Sequence, residues 1–160
     1  MPTYIIETSD NALKFKGNVL RIISDDTLSL AASQSSNGDV TLTISGTGGV
    51  YTPTLTGVAN TDSVTAAECQ YLRVGNTVVV SGRALVDPTA AATTRVGISL
   101  PVASNFGANE DCAGTSMTVT STAEGGIIYG DTGNDRAEMW FTAAVTTSHN
   151  FYFIFAYQVI

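Results

Sequence analysis

Apolar and polar residues alternate along much of this 160-residue chain. Near the beginning, Leu13 and Phe15 alternate with two lysines, and the pair Gly17-Asn18 follows them. Further on, apolar residues at positions 40, 42 and 44 alternate with Thr and Ser. A period of two predicts strands with one apolar face, and a Gly-Asn pair between two strands predicts a two-residue turn. The first part of the chain is therefore predicted to consist of short strands.

The rest of the chain shows the same pattern at a spacing typical of a β-sandwich. Gly75-Asn76 predicts a hairpin between two apolar runs, and Gly125-Gly126 predicts another turn. The predicted strands cover residues 51–56, 70–74, 77–86, 95–100, 114–122, 127–129, 137–144 and 150–160. We predict an all-β fold, with an antiparallel β-sandwich or jelly-roll-like C-terminal domain and a small N-terminal β-strand region.

A flexible sequence, Ser-Gly-Thr-Gly-Gly at residues 45–49, interrupts the pattern. Gly and Ser in succession are typical of linkers and turns. We therefore predict two domains, an N-terminal β region over residues 1–48 and a C-terminal β-sandwich knob over residues 49–160. A region of fewer than about 50 residues rarely buries enough surface to be stable alone. The N-terminal region is expected to intertwine with other copies of the chain or to dock on a partner.

The last predicted strand, residues 150–160, is apolar at almost every position. A strand with one solvated face would alternate, so both faces of this strand are expected to be covered. Aromatic side chains are prominent in protein cores and in protein interfaces alike. Two interpretations stay open: the strand is central in the sandwich, or one of its faces contacts a neighbouring subunit.

Composition and charge exclude several classes of protein. Hydrophobic residues make up 44% of the chain and charged residues 13%, which does not fit a charged disordered chain. No apolar run reaches the roughly 18 residues of a membrane helix, so no membrane is expected as a partner. The formal net charge of −7 would repel a phosphate backbone, so no nucleic acid is expected either.

The redox state of the two cysteines follows from the expected compartment. The first residues lack the basic start and apolar core of a secretory signal, so synthesis in the cytoplasm is expected. Cys69 and Cys112 are then predicted to be free thiols that behave as small buried hydrophobic residues. A disulfide between them is the alternative.

No set of residues predicts catalysis. His149 is the only histidine, and without a G-x-S-x-G motif it is interpreted as a turn residue before a strand. The Cys and His residues are too few and too far apart for a zinc site. The acidic loop at residues 130–135 lacks the closing Glu of a calcium loop. We predict that the protein is not an enzyme and holds no cofactor and no metal.

The arginines of the second domain do not predict a binding site. Each is isolated on a predicted strand, whereas a nucleic-acid site gathers basic and stacking aromatic residues. They are Arg73, Arg83, Arg95 and Arg136.

Two runs of sequence resemble a known family. Residues 50–60, VYTPTLTGVAN, lead to residues 70–82, QYLRVGNTVVVSG. This sequence resembles a β-sandwich module of tailed-bacteriophage virion proteins, which include tail-fibre tips and capsid decoration proteins. The resemblance implies a structural module without catalytic residues. It also implies a homotrimer, because fibre and decoration proteins of this kind are usually trimeric.

The apolar residues of the N-terminal region are the predicted contacts within such a trimer or with a capsid. They are Leu13, Phe15, Leu20, Ile22, Val40, Leu42 and Ile44. In three copies, the last three of these residues could meet around one axis and form a core that a single copy lacks.

The resemblance implies a protein on the surface of a virion. We predict first a trimeric capsid decoration, or cement, protein that binds between capsomers and stabilises the head. Its partners would be copies of itself and the major capsid protein or another virion protein. The alternative is the receptor-binding tip of a tail fibre, which would recognise a host glycan or protein through loops near residues 105–111 and 130–135. A glycan-degrading enzyme is a third hypothesis, which needs a carboxylate cleft that the sequence does not indicate.

Overall fold

The computed structural model describes residues 5–9, 12–16, 28–34, 40–119 and 124–160, with side chains from residue 46 onward. These residues form thirteen strands and one turn of 3-10 helix at Asn109–Asp111. The strands are β1 Ile5–Ser9, β2 Ala12–Lys16, β3 Leu28–Gln34, β4 Val40–Tyr51, β5 Leu55–Ala59, β6 Thr61–Ala66, β7 Cys69–Val74, β8 Thr77–Pro88, β9 Thr93–Ile98, β10 Cys112–Thr118, β11 Gly125–Asp131, β12 Arg136–Thr142 and β13 His149–Gln158. Within the described part of the chain, no helix has the length and apolar character needed to span a membrane.

Every strand pair in these residues is antiparallel. β1 and β2 form a separate pair, and the other eleven strands form one sheet in the order β3-β4-β7-β8-β13-β10-β11-β12-β9-β5, with β6 paired to β8. The predicted all-β antiparallel fold is confirmed, as a curled sheet that agrees with a sandwich-like domain. The intertwined trimer stays a prediction.

The curl of the sheet brings β5 and β6 together. β5 pairs with β9, β6 pairs with the end of β8, and Asn60 alone joins β5 to β6 with a φ of 54°. Asn tolerates this left-handed conformation better than most residues. Its Nδ2 donates to the carbonyl oxygens of Ala90 (2.8 Å) and Ala92 (3.2 Å), which fastens the loop between β8 and β9. A sheet curled in this way leaves less unpaired edge exposed.

The inner face of the curled sheet holds the hydrophobic core. Along β13 every second side chain is buried, from Phe151 to Tyr157. The large core side chains are Val78, Val80, Val86, Val96, Ile98, Phe106, Ile128, Met139, Phe141, Phe151, Phe153, Phe155 and Tyr157. Inside the core, the Tyr157 hydroxyl donates to the Val102 carbonyl oxygen (2.7 Å) and accepts from its N–H (3.1 Å). The core interpretation of the last strand is thus correct for one of its two faces.

The predicted hairpin at Gly75-Asn76 is confirmed. Val74 pairs with Thr77 across it, and Gly75 has a φ of +59°, a conformation that favours glycine. The predicted turn at Gly125-Gly126 is wrong, because both residues begin β11 and pair with β10. Other boundaries also differ from the prediction. Residues 51–56 were expected as one strand, but β4 ends at Tyr51 and β5 begins at Leu55, with the buried Pro53 between them. A separate strand β6 had no counterpart in the sequence prediction, because its residues do not alternate clearly.

Strand β4 runs through the glycine-rich sequence at which two domains were predicted to meet. Its last residues, 47–51, pair with β7, although Gly-rich sequence usually favours a turn. The division at residue 48 stays a prediction.

Leu13 and Phe15 lie on β2, and Val40, Leu42 and Ile44 occupy alternate positions of β4. Leu20, Ile22 and the Gly17-Asn18 turn lie outside the described residues. The role of these residues as contacts also stays a prediction.

Candidate functional site

The outer face of the sheet carries large apolar side chains. On β13, Tyr152 and Ile154 alternate with the core residues and are 49% and 50% exposed. Directly paired residues continue the outer face across the neighbouring strands, as Ile154 pairs with Thr115, Thr115 with Ile127, and Ile127 with Trp140. The exposed apolar residues on this side are Leu72, Val79, Met117, Ile127, Trp140, Tyr152 and Ile154. A contiguous apolar surface of this kind commonly marks a binding site.

One corner of the outer face contains a cluster of charged and aromatic residues, Arg95, Tyr129, Glu138 and Trp140, which we call the arginine–aromatic cluster. Glu138 is only 1% exposed although its strand position faces outward. Its Oε1 accepts hydrogen bonds from Nε of Arg95 (2.5 Å) and from the Tyr129 hydroxyl (2.8 Å). The Arg95 guanidinium lies 5.0 Å from the centre of the Trp140 ring, within the range of a cation–π contact.

The electrostatics of the cluster follow from these contacts. Burial raises the pKa of Tyr129, and its hydrogen bond to the Glu138 carboxylate raises that pKa further. The hydrogen bond to Glu138 also raises the pKa of Arg95, which therefore stays charged. Because one carboxylate and one guanidinium are paired, the cluster has no net charge at neutral pH. The Arg95 side chain remains 37% exposed, so its other N–H groups can donate to a ligand.

A hollow of about 630 Å³ adjoins Trp140 on the same face. Gly125 lies in it, and among the described residues that are not its chain neighbours, the nearest atom to a Cβ at Gly125 would be the Ser116 carbonyl oxygen, at 4.0 Å. The side chains around the hollow are Thr115, Met117, Ile127, Trp140 and Thr142. The hollow therefore exists because glycine occupies a position where other residues would project outward. A second hollow, of about 560 Å³, lies between Glu68, Arg83 and Tyr152.

Two of the four arginines of the predicted second domain have acidic partners that the sequence did not indicate. Arg95 binds Glu138, and Nε of Arg136 donates to Oδ2 of Asp131 at 2.9 Å. Gly97 makes room for this second pair, because a Cβ there would lie only 2.6 Å from the Arg136 guanidinium. Burial favours a raised pKa for Asp131, but hydrogen bonds from Asn134 and Arg136 outweigh burial and lower it.

The two loops predicted to contact a receptor, residues 105–111 and 130–135, lie side by side. The Phe106 N–H donates to Oδ1 of Asp135 at 2.9 Å. Oδ2 of Asp111 accepts from the N–H groups of Gly107 and Ala108, both at 2.8 Å. The acidic side chains of these loops thus bind backbone groups within the chain, which stabilises the loop conformations.

His149 has partners that the sequence did not reveal. It is buried at the start of β13, where Nε2 lies 3.0 Å from the Thr147 hydroxyl and Nδ1 lies 3.3 Å from Oε2 of Glu124. Oε1 of Glu124 accepts from the Ala144 N–H at 2.7 Å. The order hydroxyl, imidazole and carboxylate is that of a catalytic triad. Here the carboxylate also holds the backbone of the loop before β13, so we interpret the group as structural. The interpretation of His149 as a plain turn residue is therefore incomplete.

Both cysteines are free and buried, as the first of the two interpretations predicted. Burial raises the pKa of the Cys112 thiol to about 12 and also raises that of Cys69. The Cys69 side chain occupies space next to Gly82, where a Cβ would collide with its Sγ. Such thiols are packing residues, because the reactive thiolate form is disfavoured.

Comparisons with known proteins give a likeness in fold. No family model and no curated protein matches the chain. The chain is similar to a reovirus attachment protein, sigma1, whose crystal structure is in complex with alpha-2,3-sialyllactose. The TM-score is 0.51 at 11% sequence identity, and the match covers 98% of this chain and 85% of that one. The fold is thus one found in a viral attachment protein, and nothing in the match is specific to bacteriophages.

Proposed function

We propose that this chain is a receptor-binding module on the surface of a virus particle, the function predicted above as the alternative. The observation that carries the proposal is the outer sheet face, where aromatic and apolar side chains are exposed beside the arginine–aromatic cluster. The fold similarity to a viral attachment protein supports it. Neither observation favours the capsid-decoration function that the sequence predicted first.

The rigidity of the strands favours the outer face of the sheet as a binding surface. The strands that carry Trp140 and Ile127 are hydrogen-bonded on both sides, and their inner faces are packed in the core. Side chains on such strands are held in place before a ligand arrives, which lowers the entropic cost of binding. The proposal therefore places the receptor contact on the outer face instead of on the two loops predicted from sequence, because acidic groups of those loops already bind the backbone of the chain.

We propose a role in binding without catalysis. The buried acids Glu124 and Glu138 each accept hydrogen bonds from neighbouring residues of the chain. A general acid or base must instead be able to reach a substrate proton. In this proposal the cluster positions a ligand, and the protein works without a cofactor or metal.

We also propose that the module acts as a homotrimer and that its N-terminal region attaches it to other virion proteins. The proposed contacts are those predicted from sequence, with the outer-face residues Tyr152 and Ile154 as a second contact between copies. Their exposure supports the interpretation that one face of the last strand meets a neighbouring subunit. Several weak contacts held in one trimer would strengthen attachment to a cell through effective concentration.

The experiment that tests attachment uses the full chain in soluble form with cells that the virus infects. We expect the protein to bind these cells and to reduce infection by competing with virus particles. The variant Trp140→Ala should lose most of this binding, and Thr89→Ala, a change of an exposed loop residue, should keep it. Binding to purified capsids, with none to cells, would contradict the proposal and restore the decoration hypothesis.

A further inference from the structure

We propose that the hollow beside Trp140 is a carbohydrate subsite that takes one pyranose ring. This inference rests on the attachment function proposed above and specifies the chemistry of the receptor. In this site the apolar face of the sugar packs against Trp140 and Ile127 above Gly125. Its hydroxyl groups bond to the Arg95 guanidinium and to the Thr115 and Thr142 hydroxyls at the rim.

The shape and composition of the hollow fit a sugar. A pyranose has an apolar face and a ring of hydroxyls, so it needs a flat apolar surface bordered by hydrogen-bonding groups. Trp140 is 39% exposed and Ile127 is 61% exposed, which leaves such a surface open to solvent. The Thr115 hydroxyl donates to the Gly126 carbonyl oxygen at 3.2 Å, and its oxygen keeps the capacity to accept a hydrogen bond from a sugar hydroxyl.

The net charge of the proposed subsite determines which sugars we expect to bind. Glu138 neutralises Arg95, so the subsite offers directed donors without a net positive field. The five N–H groups of an arginine lie in one plane and can bind two neighbouring oxygens at once, and Nε alone is committed to Glu138 in the described contacts. We therefore expect neutral hexoses to bind, and an acidic sugar to bind at most modestly better.

The buried position of Glu138 gives an independent reason to assign a ligand to this corner. A buried ion pair is weak support for stability, because desolvation of the two charges offsets their attraction. In a binding site, supporting contacts orient the groups that touch the ligand. The buried Glu138 carboxylate fits this role, because it fixes the exposed Arg95 guanidinium and the Tyr129 hydroxyl next to the exposed Trp140. Glu138 would then be a positioning residue, and Arg95 and Trp140 would touch the sugar.

Trp140 is the single tryptophan of the chain, so its fluorescence reports on the subsite directly. The test titrates the full protein with the methyl glycosides of glucose, galactose, mannose and N-acetylglucosamine, and with alpha-2,3-sialyllactose. We expect a saturable change in Trp140 emission with at least one of these sugars, at a dissociation constant on the order of 1 mM for a single ring in a shallow site. The absence of a saturable change with every sugar would overturn the inference.

A matched pair of glycine variants separates the hollow from the rest of the fold. Gly125→Leu keeps the fluorophore and fills the hollow, and we expect it to weaken sugar binding at least tenfold. Gly107→Leu is the control, because a Cβ there would meet, among the described residues that are not its chain neighbours, only Oδ2 of Asp111 at 3.8 Å, and Gly107 does not line the hollow. Thermal unfolding of both variants confirms that they fold. Equal sugar affinity of the Gly125→Leu variant and the wild-type protein would assign binding elsewhere and overturn the inference.

The role of Glu138 is tested with Glu138→Gln, which keeps the shape of the side chain and removes its charge. We expect several-fold weaker sugar binding together with a lower pKa of Tyr129, measured by ultraviolet titration of the phenol. A purely structural role would change the unfolding transition and leave the sugar affinity of the folded protein unaltered. That second result would contradict the assignment of Glu138 as a positioning residue.

Cell binding distinguishes failure of this inference from failure of the proposed function. Binding to cells that persists after periodate oxidation of their surface glycans, and that still depends on Trp140, would indicate a protein receptor and overturn the inference alone. Sugar binding without any cell binding would retain the inference and contradict the attachment function. Burial of Trp140 by a second copy would appear as an emission shift that depends on protein concentration in the absence of sugar, and it would overturn the inference.

Discussion

The two faces of strand β13 have nearly the same apolar composition but different environments. Phe151, Phe153 and Phe155 point inward and are at most 5% exposed, whereas Tyr152 and Ile154 point outward and are about half exposed. Alternation is a property of every strand, so a run of apolar residues always divides between two faces. The comparison teaches that such a run identifies an important strand, and that the neighbouring layers determine which residues are core and which are available for binding.

The buried acidic residues on the two faces also have different surroundings. On the inner side, Glu124 bonds to His149 and to a backbone N–H, and the side chains of Glu124 and His149 are both almost completely buried. On the outer side, Glu138 bonds to Arg95, which still contacts solvent. A group left without a partner can recover hydrogen bonds from water only where water can reach it. Removal of the acidic side chain should therefore lower the free energy of unfolding more on the inner face than on the outer face.

The largest difference is expected for removal of an aromatic or aliphatic side chain from β13. Phe155→Ala should lower the free energy of unfolding by about 3–5 kcal/mol, because it opens a cavity in the core. Ile154→Ala, one residue away and half exposed, should lower it by less than about 1 kcal/mol in the isolated chain. Urea denaturation of both variants measures the difference. Similar losses would mean that another layer covers the outer face, as contact between copies would do.

A smaller difference is expected for the two buried acids. Glu124→Ala leaves His149 and the Ala144 N–H without their acceptor, at a cost of about 1–3 kcal/mol for each buried group. Glu138→Ala should cost about 1 kcal/mol, because Arg95 can turn toward water. The same denaturation experiment compares them. A larger loss for Glu138→Ala would show that the arginine–aromatic cluster is primarily a stabilising element, which would weaken its assignment to ligand binding.

The smallest expected effect is a loss of stability in alkaline solution that comes from the core. Burial raises the pKa of Tyr157 from 10.0 to about 12, and the pKa of Cys112 rises from 9.0 to about 12 for the same reason. Both side chains have a higher pKa in the folded protein than in the unfolded chain. The stability that they contribute is therefore complete at a pH below the unfolded-state pKa values, and it is lost as the pH rises from those values toward about 12.

Denaturation midpoints measured at increasing pH test this prediction. The decline above pH 10 should be shallower in Tyr157→Phe, which cannot ionise at this position, although the variant loses the hydrogen bonds to Val102 and begins from a lower stability. The half-exposed outer residue Tyr152 serves as the comparison, and Tyr152→Phe should change the denaturation midpoints less than Tyr157→Phe does. An equal effect of both substitutions would contradict the distinction between the two faces.

Local sequence signals predicted a large part of the fold. Val78 and Val80 alternate with polar or exposed positions, and Gly75-Asn76 reverses the chain between two strands, because hydrophobic period and turn chemistry act over a few residues. Strand β6 and the extension of β4 through a Gly-rich sequence were not predicted. Pairing with β8 and β7 stabilises them, and such tertiary pairing overrides local propensity.

Sequence analysis did not predict most of the residues of the candidate site. Arg95, Tyr129 and Glu138 are distant in sequence and meet only because β9, β12 and β11 are adjacent in the sheet. Glu124 and His149 meet for a comparable reason, across the ends of β11 and β13. An acidic residue in a sequence carries no sign of burial, since burial depends on which strands become neighbours.

The sequence by itself determined that the chain is β-rich, that it reverses at Gly75-Asn76 and that its thiols belong inside the protein. These properties depend on side-chain volume, branching and backbone preference, which each residue carries with it. Only the tertiary structure decided which face of the last strand is buried, which arginine meets Glu138 and where Gly125 leaves a hollow. Those outcomes require the strand order of the whole sheet, because a side chain's burial and partners are set by residues that the sheet brings to it from distant positions.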